Sequence, residues 1–134
     1  MSGAKDIRPG RLYTNDHEWA VEKGDELIVG ITAFAVEQLG DITLVDLSVS
    51  PGQRLEAHQT FGTIESVKTL SDLFSPISGV VLRTNSELID HPELVNADCW
   101  DKAWMIALQP DAAVSQATGL LDAESYGKLL DQVG

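Results

Sequence analysis

Few of the side chains in this sequence that could do chemistry stand at the spacing a reaction needs. His17 and Glu18 begin like the helical zinc-protease pattern, but Val21 occupies the position where the second histidine would be needed. The three histidines, His17, His58 and His91, are far apart and show no metal-ligand spacing. Cys99 is the only cysteine, so neither an intramolecular disulfide nor a thiolate cluster can form. Beside Trp100 it reads as a small packed hydrophobe. There is no glycine-rich phosphate loop and no nucleophile elbow. What remains is an amine. Two strand-like runs meet at Val67-Lys68-Thr69 without the Gly, Asn or Pro that a hairpin tip normally takes. Lys68 would stand in solvent there, flanked by Val67 and Leu70. An isolated surface lysine usually does no more than keep a surface hydrated, but this placement makes it an accessible acceptor.

The elements around that junction are short strands separated by turns. Glu26 to Thr32 places Leu27, Val29 and Ile31 on one face and Ile28 and Thr32 on the other, a strand pattern rich in β-branched residues. Asp41 to Val49 is a second strand, followed by a turn at Ser50-Pro51-Gly52-Gln53. Thr60–Val67 and Thr69–Phe74 are the two arms of the hairpin, and Gly79–Asn85 and Ala103–Gln109 complete the set. Strands at this spacing imply a small sandwich or barrel. Helical signals are marginal until the end of the chain. Thr32 can cap a short helix through Leu39 that Gly40 stops, and Pro92 to Val95 can make one turn. Asp122 is an N-cap with Leu121 and Tyr126 as a hydrophobic staple, and Tyr126, Leu129, Leu130 and Val133 form one stripe of an amphipathic helix. Glu124 and Lys128 add an exposed i,i+4 pair. The expected organisation is one domain over residues 1–134, with a β core from about 12 to 109 and a C-terminal helical segment from about 112 to 133.

Composition narrows the classes. The 134 residues carry 21 acids against 9 bases, a net charge of −12. Such a surface repels phosphate backbones, which argues against nucleic acid, and it favours a soluble monomer that can meet basic clefts on partner proteins. No apolar run is long enough to span a bilayer. The opening residues Met1 to Asp6 have no apolar stretch, so the expected compartment is the cytoplasm, with a processed organellar protein as the lesser alternative.

Glu65-Ser66-Val67-Lys68 resembles the lipoylation-site motif of the H protein of the glycine cleavage system. The resemblance covers nearly the whole chain from about Tyr13, in ordered blocks: Tyr13-Thr14 leading to His17-Glu18-Trp19, Val29 to Thr32, Leu39 to Ile42, and Phe61-Gly62 leading to Lys68. It continues through Ser71-Asp72, Ser75-Pro76, Ser78-Gly79, Asn85, Pro92 to Asn96, and Trp104 to Ile106. The chain departs from the family at Thr69, where many members have Ala, and at Trp100, where Tyr is usual. Leu47 to Ala57 follows the family loosely.

The resemblance implies a mainly β, lipoyl/biotinyl-domain-like barrel-sandwich hybrid with short flanking helices and a C-terminal helix. It implies lipoate bound covalently by an amide to Lys68, with Glu65, Ser66 and Val67 as the motif read by lipoylating enzymes. It implies a non-catalytic carrier in glycine catabolism and one-carbon metabolism. The partners would be glycine decarboxylase (P protein), aminomethyltransferase (T protein) and dihydrolipoyl dehydrogenase (L protein). Glu18 and Asp72 match positions that hold the aminomethyl-loaded arm in a surface cleft, a reading that stands level with both being plain surface acids. Trp19 and Trp104 are expected in the core. An alternative within the same class is a lipoyl relay or scaffold for other lipoate-dependent enzymes. A biotin carrier ranks lower, because Val67 and Thr69 flank the lysine where biotinyl domains have methionines, and a small hydrolase has no motif behind it.

Overall fold

A computed structural model describes residues 6–114 and 119–133. Residues 1–5, which carry most of the compartment expectation, and the side chain of Val133 lie outside the described residues. Chain order begins with β1 (Leu12–Tyr13), β2 (Glu18–Lys23) and β3 (Glu26–Ile31), then helix α1 (Ala33–Leu39). It continues with β4 (Ile42–Leu47), β5 (Arg54–Leu55), β6 (Thr60–Ser66), β7 (Leu70–Phe74) and β8 (Gly79–Thr84). Two one-turn helices follow, α2 (Glu87–Asp90) and α3 (Leu94–Ala97), before β9 (Ile106–Pro110) and α4 (Ala123–Val133).

The strands form two sheets, one of six strands in the order β1-β2-β3-β9-β8-β5 and one of three in the order β4-β6-β7. Period-2 alternation decides what each face does. In β3, Leu27, Val29 and Ile31 join Val45, Phe61, Ile64 and Leu73 of the small sheet in one buried cluster, so the main core lies between the sheets. Each such side chain, once fully buried, contributes about 1.5–3 kcal/mol. Ile28 faces the other way and joins Trp19, Ala107, Tyr126 and Leu130 in a second cluster that seats α4 on the outside of the large sheet. The sheets face each other without closing, which is the barrel-sandwich architecture the sequence led us to expect.

Strand β2 crosses this frame in a way that hides it from pattern reading. Glu18, Trp19 and Ala20 are all buried, because β2 has a packed layer on each side of it. Trp19 lies flat on its cross-strand neighbour Gly30, where a Cβ would come within 2.5 Å of the indole. Only glycine permits that approach.

Several expected boundaries shift. The strand expected from Ala103 begins at Ile106, because Ala103 N–H and Trp104 N–H turn back to Asp98 and Asp101 carbonyls. The helical turn expected at Pro92 is α3, whose Val95 N–H bonds to the Pro92 carbonyl. Of the expected C-terminal segment, residues 115–118 lie outside the described residues, and the helix α4 begins at Ala123. Asp122 caps it as expected, its carboxylate accepting Ser125 N–H at 2.8 Å, and Leu121 bridges to Tyr13. Glu124 and Lys128 meet at 3.9 Å, both exposed, and such a pair adds little stability. Helix α1 matches its expected caps: the Thr32 hydroxyl accepts Ala35 N–H, and Gly40, at φ 82°, donates to the Val36 carbonyl.

Candidate functional site

Lys68 sits at the tip of the β6–β7 hairpin, beyond the last strand pair Glu65–Leu70. The absence of Gly, Asn and Pro there has a local cause. None of Val67, Lys68 and Thr69 takes a positive φ, so the turn needs no residue that tolerates one. Ser66 builds the turn instead. Its backbone N–H donates to the Thr69 carbonyl at 2.8 Å, while its hydroxyl oxygen accepts Lys68 N–H at 3.1 Å and Thr69 N–H at 3.2 Å. Ser66 is buried and shapes the tip, whereas Glu65 lies exposed beside Leu70. Val67 and Leu70 are 68% and 63% exposed, an unusual pair of apolar side chains around an exposed amine.

The tip leans on the turn between α1 and β4. Val67 N–H donates to the Asp41 carbonyl at 3.0 Å, and the Thr43 hydroxyl donates to the Glu65 carbonyl at 3.1 Å. The Lys68 side chain runs across Gly40, where a Cβ would stand 3.0 Å from Lys68 Cε. The amine itself forms no ion pair among the described residues.

On the same side of the molecule, residues of β2, α1 and β7 enclose a cleft of about 150 Å³. Its polar wall includes Asp16, Glu18 and Asp72, and its apolar wall includes Ile31, Leu39 and Ile64. Glu18 and Asp72, paired in the sequence reading, are therefore brought together, but they are not alike. Asp72 is exposed on edge strand β7. Glu18 is only 2% exposed, which overturns its reading as a plain surface acid. Its carboxyl group accepts the Thr14 hydroxyl at 2.7 Å and Phe74 N–H at 3.3 Å. Both donors favour the carboxylate, yet burial dominates and pushes the pKa up to about 7.

No motif marks Asp16 as part of this wall or Thr14 as the residue that orients Glu18. The available cue is nearness in sequence, two residues from Glu18 for Asp16 and four for Thr14. His17, between Asp16 and Glu18, is held at φ 69° with its Nδ1 2.8 Å from the Tyr126 hydroxyl, which is also 2.8 Å from the Thr32 hydroxyl. Burial lowers the His17 pKa against the opposing charge of Asp16, which favours the neutral ring. Helix α4 thus reaches the cleft wall through one polar chain.

The remaining candidates fall away. Cys99 is buried and its thiol is pushed up to about 11, which makes it inert. No group of His, Cys, Asp and Glu suited to a metal occurs among the described residues. Among those residues no helix is long and apolar enough to cross a membrane. Trp19 is core as expected, but Trp104 is only half-buried, with the Arg83 guanidinium 5.6 Å from its ring centre.

Comparison with known proteins agrees with this geometry. The sequence pattern of the family described as Glycine cleavage H-protein matches residues 11–133. The glycine cleavage system H protein of Bacteroides thetaiotaomicron is 54% identical over 114 residues, covering 85% of this chain and 89% of that one. The protein of the same name from Anoxybacillus flavithermus is 45% identical over 132 residues, 98% of this chain and 99% of that one. The crystal structure of a glycine cleavage system H protein from Mycobacterium marinum superposes with a TM-score of 0.82 at 37% identity, covering 91% of this chain and 97% of that one. The chain belongs to the glycine cleavage H-protein family.

Proposed function

We propose that the chain is a lipoyl carrier of glycine cleavage and acts as one unit, with Lys68 as the attachment point. The observation that carries this is the tip itself: an exposed amine without a carboxylate partner among the described residues, on a turn whose backbone is fixed by Ser66 and Asp41. A lipoyl group fits there, because amide formation at Nζ needs an accessible amine and removes a charge that no described ion pair uses. When bound, the group would supply a dithiolane sulfur to hold the aminomethyl unit of glycine and a dithiol–disulfide couple to carry reducing equivalents among the decarboxylase, aminomethyltransferase and dihydrolipoyl dehydrogenase.

The chain's own residues present and protect. Ser66 and the Asp41 carbonyl hold the tip in one shape for the lipoylating enzymes, which meet Glu65, Val67 and Leu70 on its exposed surface. Asp16, Glu18 and Asp72 give the cleft an acidic wall that suits a cationic amine, and Ile31, Leu39 and Ile64 limit water on the opposite side. A cation beside Glu18 favours its ionised form, so cargo and Glu18 ionisation are linked.

Intact mass spectrometry of protein from a lipoylation-competent host tests the attachment. Wild type should gain a lipoyl-sized increment that Lys68→Ala lacks, and unmodified wild type would sink the proposal. The cleft is tested by the rate at which carrier loaded with the aminomethyl unit releases ammonia. Glu18→Gln should release it faster, and equal rates would detach Glu18 from the cargo.

A further inference from the structure

Asn96 lies outside the hairpin and outside the cleft, on the one-turn helix α3, yet both ends of its amide are committed to the turn that supports the tip. Its Nδ2 donates to the Gly40 carbonyl at 3.0 Å, and its Oδ1 accepts Ile42 N–H at 2.9 Å. One side chain thus clamps the residues on either side of Asp41. The Asp41 carbonyl between them accepts Val67 N–H, and Gly40 is the surface over which the Lys68 side chain runs.

The clamped turn has reason to need a clamp. Gly40 has left the helix at φ 82° and ψ −150°, a conformation open to glycine and costly for other residues. The pairing of β4 with β6 shifts register between Ile42 and Leu44, so the regular ladder does not continue through this corner. The groups that would otherwise be left over, the Gly40 carbonyl and Ile42 N–H, are the two that Asn96 takes. An asparagine side chain carries a donor and an acceptor a fixed distance apart, as a peptide group does, so it stands in for the missing strand partner.

We infer that Asn96 is a positioning residue for modification: it holds the Gly40–Asp41 platform so that Val67 and the Lys68 stem adopt the shape a lipoylating enzyme reads. This inference rests on the lipoyl-carrier reading of Lys68. It adds a residue 28 positions away in sequence, reached through α3 and the α1–β4 turn. Asn96 touches neither the amine nor the cargo, so its effect is on the efficiency of transfer and leaves the chemical reactivity of the amine alone.

The test measures enzymatic transfer of the lipoyl group to full-length apo-protein for wild type, Asn96→Ala and Asn96→Asp. Asn96→Asp retains an acceptor for Ile42 N–H and removes the donor to Gly40. Transfer to Lys68 should lose about tenfold in kcat/KM in both variants, the scale of one net hydrogen bond removed from a preorganised geometry. Acylation of Lys68 by a small activated ester should proceed at the wild-type rate, and Val67 N–H should exchange with solvent faster while amides of the core between the sheets keep their protection. Wild-type transfer rates in both variants would overturn the inference. So would a loss of transfer that tracks a loss of core protection in both, since that is a folding defect. Wild type that accepts no lipoyl group would overturn the carrier reading as well, and a lipoylated wild type with equally fast variants would overturn this inference alone.

Discussion

The hairpin tip and the cleft beside it hold their polar groups by opposite means. At the tip, Lys68 is in solvent, and the backbone beneath it is fixed by Ser66 and the Asp41 carbonyl. In the cleft, Glu18 is withdrawn from solvent, and its own side chain is fixed by Thr14 and Phe74. The tip leaves its amine in water and therefore reachable by a large enzyme. The cleft removes its acid from water, which makes the acid responsive to whatever charge arrives. A carrier needs both: a point of attachment that many partners can reach, and a nearby environment that differs from bulk water.

The largest effect that can break this contrast is the pH dependence of Glu18. Folding raises its pKa from the ordinary 4.5 to about 7, mainly through burial. A group raised in this way favours the folded state fully below pH 4.5, and that contribution is lost as the pH climbs toward 7. Summed over the shift, the loss is about 3 kcal/mol. Glu18→Gln has no proton to lose, and its amide can accept from Phe74 N–H and donate to Thr14. Denaturant midpoints should therefore diverge, with the variant gaining on wild type between pH 4.5 and 7 and holding the gain above. Asp72→Asn, on the exposed side of the same cleft, should stay within about 0.5 kcal/mol of wild type, as surface substitutions do. Parallel curves for wild type and Glu18→Gln would remove the distinction between the buried acid and the exposed one.

The same contrast explains what the sequence made legible. The tip announced itself because its residues are local: two strand runs, a lysine at their junction, and a motif of four consecutive positions. Strands β3, β4, β6, β7 and β8, the caps of α1 at Thr32 and Gly40, and the Asp122 cap of α4 were readable for the same reason. The cleft was not. Glu18 and Asp72 could be named through the family resemblance, but the burial of Glu18 depends on β7 and on Thr14 folding over it, and no short pattern encodes that. Strand β2 was invisible because Glu18, Trp19 and Ala20 are buried in succession, which erases the alternation that marks a half-buried strand. Asn96 stood in a matching block without a role, since its partners Gly40 and Ile42 lie more than fifty residues away.

A smaller effect sharpens the contrast at the tip by separating two roles for Ser66. By family resemblance Ser66 is a residue that the modifying enzyme recognises, whereas its hydroxyl accepts two turn amides and its side chain is buried. Ser66→Ala removes those two acceptor contacts and keeps the backbone bond to Thr69, so the stability loss should be about 1 kcal/mol. If Ser66 builds the turn, hydrogen exchange at the Lys68 and Thr69 amides should quicken, lipoylation should slow several-fold, and Ser66→Thr, which keeps the hydroxyl, should recover both. Slower lipoylation with unchanged exchange would return Ser66 to the role of a contact read directly by the enzyme. The exchange measurement decides, because a recognised residue and a turn-building one both slow transfer when removed, and only the second loosens the backbone that carries the lysine.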